Sequence, residues 1–242
     1  YPDVWLYHPD VPDRITTDAD AIPGPEGSTL TVGVLMMRSY VLSSDTAHYD
    51  AVIRAFEARG IRVLPAFAGG LDGRPAIETY FADGRIDALV SLPGFSLVGG
   101  PAYNDSAAAI EVLSALDVPY LAAHPLEFQT LSQWEAAQAG LSPIETTMLI
   151  ALPELDGATN PTVFAGRHGE GECPDGGDPK AMAPCHERID ALVRRTEKLA
   201  HLRRSERADR KLGIILFGFP PNAGAAGTAA YLSVFESLFN TL

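Results

Sequence analysis

The sequence predicts an α/β fold: a doubly wound, mostly parallel sheet with helices on both faces. Three observations carry this reading. Short continuous apolar runs, such as Leu30–Met37 and Ile86–Leu92, have the form of strands buried on both faces. Segments with apolar residues at helical spacing separate them. The two kinds of segment alternate every ~25–32 residues, the rhythm of βαβ units. The pattern is Rossmann- or flavodoxin-like.

The elements follow in order. Residues 1–28 hold five prolines (Pro2, Pro9, Pro12, Pro23 and Pro25) and little periodicity, so they read as an irregular lead-in packed on a neighbouring region. The α/β domain then runs over 29–242. Its first strand is Leu30–Met37. Ala47, Ala51, Val52, Ala55 and Phe56 recur at helical spacing, and Gly60 stops that helix. Ile61–Phe67 is a second strand, 75–83 a short helix ended by Gly84, and Ile86–Leu92 a third strand. Ser106–Leu116 is a helix and Pro119–Ala123 a fourth strand. Residues 130–139 are helical, and Thr146–Leu152 reads as a helix running into the Pro153 break. Thr162–Ala165 is a short strand. The Gly/Pro/Asp-rich stretch 168–184 reads as a mobile surface loop. A long helix covers about 185–209, with Ile189, Leu192, Val193, Thr196, Leu199 and Leu202 as its apolar stripe. Leu212–Phe217 reads as another buried strand. Gly227–Leu242 reads as a helix with Leu232, Phe235, Leu238, Phe239 and Leu242 inward.

Composition narrows the function. With 242 residues, 46% hydrophobic and 20% charged, the chain is neither disordered nor collagen-like. The net charge of −13 argues against a nucleic-acid sheath, and no apolar run is long enough to cross a bilayer. Residues 186–211 are the exception, with nine Lys+Arg against five acids. That helix is either a solvated basic face or a docking surface for an acidic partner. Cys173 and Cys185 are too few for a disulfide scaffold and suit a reducing, cytoplasmic setting. The chain begins at Tyr1 and reads as a piece of a longer polypeptide.

Ligands of parallel sheets bind beyond the carboxyl ends of the strands, which selects the chemistry-bearing loops without any motif search. These are Arg38-Ser39-Tyr40, the Gly-rich Ala68–Asp72, Pro93–Gly100, His124-Pro125, and Phe219–Thr228. The last is Gly-rich before a helix, so its free N–H groups suit a carboxylate or phosphate. It is neither a Walker A loop nor a G-x-G-x-x-G. Ala151-Leu-Pro-Glu154-Leu-Asp156-Gly places two hard carboxylate ligands suited to Mg²⁺ beside a turn, or else is a solvated Asp-Gly turn. His168, Cys173, Cys185 and His186 match no zinc spacing. Gly94-Phe-Ser96-Leu-Val-Gly99 lacks the G-x-S-x-G spacing, and His48 with Ser43 and Ser44 assembles no hydrolytic triad.

Taken in order, several blocks resemble one family. They are Arg38-Ser39, His48-Tyr49, Phe67-Ala-Gly-Gly-Leu-Asp72, Gly94–Ala102, Ala151–Ala158, Val163–Arg167 and Phe219–Leu232. From about residue 30 onward they look like the large H subunit of magnesium chelatase, a relative of the cobaltochelatase large subunit. The resemblance implies an interior fragment of a multidomain subunit several times longer. That subunit binds protoporphyrin IX and is where Mg²⁺, a substrate, is inserted for chlorophyll or bacteriochlorophyll synthesis. ATP is hydrolysed by the separate I and D subunits of an AAA+ motor, which agrees with the missing Walker A loop. The location is then cytoplasmic, or the plastid stroma in a plant or alga. No tightly bound cofactor is expected in the fragment, and alone it is expected to be inactive. Insertion needs a base for two pyrrole protons and oxygen ligands to strip water from Mg²⁺. Glu154 and Asp156 are the candidates for metal delivery, Glu154 and the weaker His124 for proton uptake. Arg38, Tyr40, Asn222, Gly224, Gly227 and Thr228 are candidates to hold the porphyrin. The alternatives are a cobaltochelatase fragment and a non-catalytic scaffold or docking module.

Overall fold

The computed structural model describes residues 3–100, 103–173, 177–215 and 233–241. The chain falls into two compact units, Tyr1–Arg204 and Ser205–Leu242. The strands of the first are Val4–Tyr7 (β1), Ile15–Thr16 (β2), Thr31–Met37 (β3), Arg62–Ala68 (β4), Ala88–Ser91 (β5), Tyr120–Thr130 (β6), Thr159–Arg167 (β7) and Ala183–Pro184 (β8). They form one sheet in the order β2-β1-β4-β3-β5-β6-β7-β8. Pairings from β4 through β7 are parallel, and β1, β2 and β8 add antiparallel edges. Counted in chain order, the five parallel strands run 2-1-3-4-5, the flavodoxin-like order, so the topological switch point lies between β3 and β5.

The helices are Arg38–Leu42 (α1), Ala47–Glu57 (α2), Arg74–Ala76 (α3), Ser106–Leu116 (α4), Leu131–Ala136 (α5), Pro143–Glu145 (α6), Leu152–Leu155 (α7) and His186–Arg204 (α8), with Val234–Thr241 (α9) in the second unit. Alternation along the strands divides them between two faces. Val32, Val34 and Met36 of β3 pack with Tyr49, Val52, Ile53 and Phe56 of α2 and with Ile189, Leu192 and Val193 of α8. Leu35, with Leu64 and Ala66 of β4, packs with Ile77, Phe81 and Ala109 on the other side. Each such side chain contributes roughly 1.5–3 kcal/mol on burial. Gly33 is closely packed within β3: a Cβ there would stand 2.9 Å from Ile86 Cδ1 and 3.2 Å from the Phe81 ring, so those side chains would have to give way.

Several expectations need correction. The Pro-rich lead-in is not wholly irregular, because β1 pairs with β4 through Val4↔Ala68 and Leu6↔Ala66. Polar contacts then bind it to α2. Tyr7 Oη donates to Asp50 at 2.6 Å, Arg14 Nη2 to Asp50 at 2.5 Å, and His8 Nε2 lies 2.9 Å from Glu57. Asp10 N–H donates to His8 Nδ1, so the ring proton sits on Nε2 and points at Glu57. The fourth strand does not stop at Ala123 but continues as β6 to Thr130. Pro125 is accommodated because pairing slips on both sides of it, which is where a sheet tolerates proline. Pro153 does not end its helix either. Thr146–Ala151 widens into a π turn, Leu152 N–H bonds Thr147 O, and Pro153 enters at the start of α7, where its missing N–H is harmless.

In the second unit, 211–215 form no strand, and Leu212 and Ile215 are exposed. An apolar run becomes a strand only beside a partner edge, and none is present in the described part of that unit. The rest of the predicted strand, 216–217, lies outside the described residues. Phe235 and Phe239 of α9 are exposed rather than inward, with no second layer among the described residues of this unit, and Leu232 and Leu242 lie outside the described residues.

The basic α8 carries several ion pairs. Glu197 pairs with Arg59 at 2.6 Å, Arg203 with Asp117 at 2.7 Å, and Arg204 with Asp87 at 2.6 Å. Arg203 and Arg204 thus meet acids elsewhere in the chain, while Arg188 and Arg194 pair with Glu187 and Asp190 of the helix itself.

Candidate functional site at the carboxyl edge of the sheet

The two Gly-rich loops flanking the switch point close on each other. Gly73 N–H donates to Leu97 O and Gly99 N–H to Leu71 O, both at 2.9 Å. Gly99 is irreplaceable there, with φ +107° and Tyr103 O 2.4 Å from where a Cβ would stand. The space left between the loops is about 30 Å³, room for one water. Glycines expected to cradle a ligand here cradle the opposite loop.

Asp156 holds this arrangement from beneath. It is 2% exposed. Its Oδ2 accepts from Leu97 N–H at 2.8 Å and lies 2.8 Å from Ser96 Oγ, while Oδ1 accepts from Asn104 Nδ2 at 2.9 Å. Both oxygens are therefore occupied. Glu154, two residues earlier on α7, is exposed. Both carboxylates precede β7 in the chain; that of Asp156 reaches the loop beyond the carboxyl end of β5, whereas Glu154 is exposed to solvent. Among the described residues no group of three or more His, Cys, Asp or Glu could hold a metal ion.

The other expected residues are dispersed. Arg38 opens α1 and reaches Asp3 Oδ1 at 3.5 Å. His124 is fully buried against Gly94, whose added Cβ would meet His124 Cβ at 2.7 Å. Neither of its ring nitrogens has a hydrogen-bond partner, and burial lowers its pKa to about 4. Asn222, Gly224, Gly227 and Thr228 lie outside the described residues.

Tyr40 enters a compact constellation at the carboxyl ends of β3, β6 and β7. Its hydroxyl donates to Glu127 Oε1, and Arg167 Nη1 donates to Glu127 Oε2 at 2.7 Å. Arg167 Nε also donates to Lys180 O at 3.0 Å. Burial, then the bond to Glu127, pushes the Tyr40 hydroxyl above its usual range. Beneath lies His48 of α2, with no exposed surface, 4.9 Å from the Tyr40 ring and 5.8 Å from Phe164 between centroids. Both of its ring nitrogens are unpartnered. Burial, reinforced by the charge of Arg167, lowers its pKa to about 3, so the imidazole is neutral.

A register break aims Glu127 outward. Pro125 pairs with Ala165 and Thr130 with Arg167, so three residues of β6 have no opposite number in β7. Bulges of this kind turn side chains toward sites. Glu127 is hard to find in sequence because the strand reads as ended by Pro125. Arg167 could have been found, as the last residue of a parallel strand within one of the family-like blocks. Ser96 and Asn104 carry no sequence signal of their pairing with Asp156.

The fold and this edge define a flavodoxin-like α/β domain whose polar face lies on the carboxyl side of the sheet. The family model described as CobN/Magnesium Chelatase matches residues 1–242, and the chain belongs to that family. It is 68% identical to the H subunit of the magnesium chelatase of Cereibacter sphaeroides, over all of this chain and 21% of that protein. It is 44% identical to the chloroplastic magnesium-chelatase subunit ChlH of Oryza sativa subsp. indica, over 87% of this chain and 15% of that one. Among solved structures, the catalytic subunit of cobaltochelatase from Mycobacterium tuberculosis superposes with a TM-score of 0.66 at 25% identity, covering 87% of this chain and 17% of that one. The chain thus spans about a fifth of the length of its relative from Cereibacter sphaeroides. No helix among the described residues is long and apolar enough to cross a membrane.

Proposed function

We propose that this chain is part of the porphyrin-binding large subunit of a magnesium chelatase, which inserts Mg²⁺ into protoporphyrin IX for chlorophyll or bacteriochlorophyll synthesis. ATP is consumed by separate I and D motor subunits, in the cytoplasm or the plastid stroma. The observation that carries this is the 68% identity, over the whole chain, to the H subunit of a magnesium chelatase. A cobaltochelatase relative from Sinorhizobium sp. is only 29% identical, which favours the magnesium branch.

Within that large subunit, the carboxyl edge around Tyr40 is the face offered to the tetrapyrrole. Arg38 stays with it as an anion-holding candidate, and Asn222–Thr228, with Gly224 and Gly227, is kept as a second candidate on its Gly-rich sequence alone. Asp156 is a positioning residue for the loop 94–100, since its oxygens are already occupied. The metal and proton roles then rest on exposed Glu154, because a buried imidazole of pKa about 4, His124, holds protons poorly at neutral pH. The closed crevice supports a second reading, in which the domain shapes and docks the large subunit while the macrocycle sits elsewhere. The test is chelation by the intact complex, Mg²⁺ against Co²⁺, with the Glu154→Gln variant beside wild type. Preference for Mg²⁺ and a rate reduced at least tenfold are expected. An unchanged rate removes Glu154 from the chemistry, and preference for Co²⁺ overturns the magnesium assignment.

A further inference from the structure

The Tyr40–Glu127–Arg167 constellation is more than a surface ion pair. A guanidinium and a phenol converge on the two oxygens of one carboxylate, and that carboxylate belongs to the protein. It is carried on residues of β6 that β7 does not pin, so it can leave without disturbing the register on either side. Its donors are fixed more firmly. Arg167 ends β7 and is tied to Lys180 O, and Tyr40 stands edge-on to the buried His48 and Tyr49 rings. Phe128, next to Glu127 in sequence, is 56% exposed. Rigid donors and a movable acceptor suit a molecule that carries a carboxylate.

We propose that Glu127 is an internal stand-in for a ligand carboxylate. A carboxylic acid binds by displacing Glu127 from Arg167 and Tyr40. If the functional reading above holds, that acid is the tetrapyrrole, held through a propionate. His48 is then a positioning residue. Its neutral ring supports Tyr40 without adding a second cation that would hold Glu127 in place.

The proposal predicts opposite effects from two neighbouring substitutions. The intact large subunit is titrated with deuteroporphyrin IX and with its dimethyl ester, following the Soret absorbance. Arg167→Gln should weaken binding of the diacid about tenfold and leave the diester unchanged, since charged hydrogen bonds are lost only for the acid. Glu127→Gln should tighten the diacid several-fold, because the competing charge is gone, and again leave the diester unchanged. Equal affinity of wild type for diacid and diester, or diacid affinities unmoved in both variants, overturns the exchange site and leaves the chelatase reading intact. Failure of wild type to bind either porphyrin overturns the chelatase reading itself.

Discussion

His48 and His124 are buried, neutral and without hydrogen-bond partners in the same sheet domain. Their pKa values are lowered to about 3 and about 4, against 6.5 in an unfolded chain. Below about pH 6.5 the unfolded state takes up protons that the folded state refuses, so stability falls as pH drops from there toward the folded values. Between about pH 7 and about pH 5 each histidine should remove about 2 kcal/mol. Urea denaturation at the two pH values checks this, and His48→Phe, which keeps an aromatic ring beside Phe164, should recover about half the loss. Asp156 makes a separate prediction. Asp156→Ala leaves Leu97 N–H unpaired in a buried site and removes one of the two hydrogen bonds of Asn104 Nδ2, a penalty of roughly 1–3 kcal/mol. It should lower the melting temperature and speed amide exchange at Leu97 more than at strands β3 or β4.

At the scale of elements, the lead-in and α2 form one polar seam. Asp50 accepts from both Tyr7 and Arg14, so Asp50→Ala should destabilise the first unit by roughly 1–3 kcal/mol, measured by denaturant titration. The pairs on α8 are different in kind, because they are partly exposed. A double-mutant cycle of Arg59→Gln with Glu197→Gln should return a coupling under about 1 kcal/mol, shrinking in high salt. Much of this architecture is legible in the sequence. The buried runs at Leu30 and Ile86 and the stripe Ile189–Val193 announce themselves through periodicity, which reflects burial directly. What stays hidden depends on pairing. β1 is short and Pro-flanked, and it becomes a strand only because the edge of β4 is there to receive it. The extension of β6 hides behind Pro125. The apolar run at Leu212 is the opposite error, a strand-like composition without a partner edge. The site fares likewise. Tyr40 follows from the strand-end rule, but Glu127 needs the extended β6, and the partners of Asp156 need three dimensions.

For the whole molecule, the strand order sets the frame. The switch point between β3 and β5 is where a flavodoxin-like sheet would seat a ligand, and here interlocked loops take that place. The polar face has moved along the edge to the ends of β6 and β7. The bulge between Pro125 and Thr130 has a consequence for variation. Its unpaired residues can be shortened, lengthened or exchanged while strand registry on each flank stays fixed. The reach and charge of this edge can therefore drift between related chains without any rebuilding of the core. Relatives that keep the sheet should diverge first over these few positions.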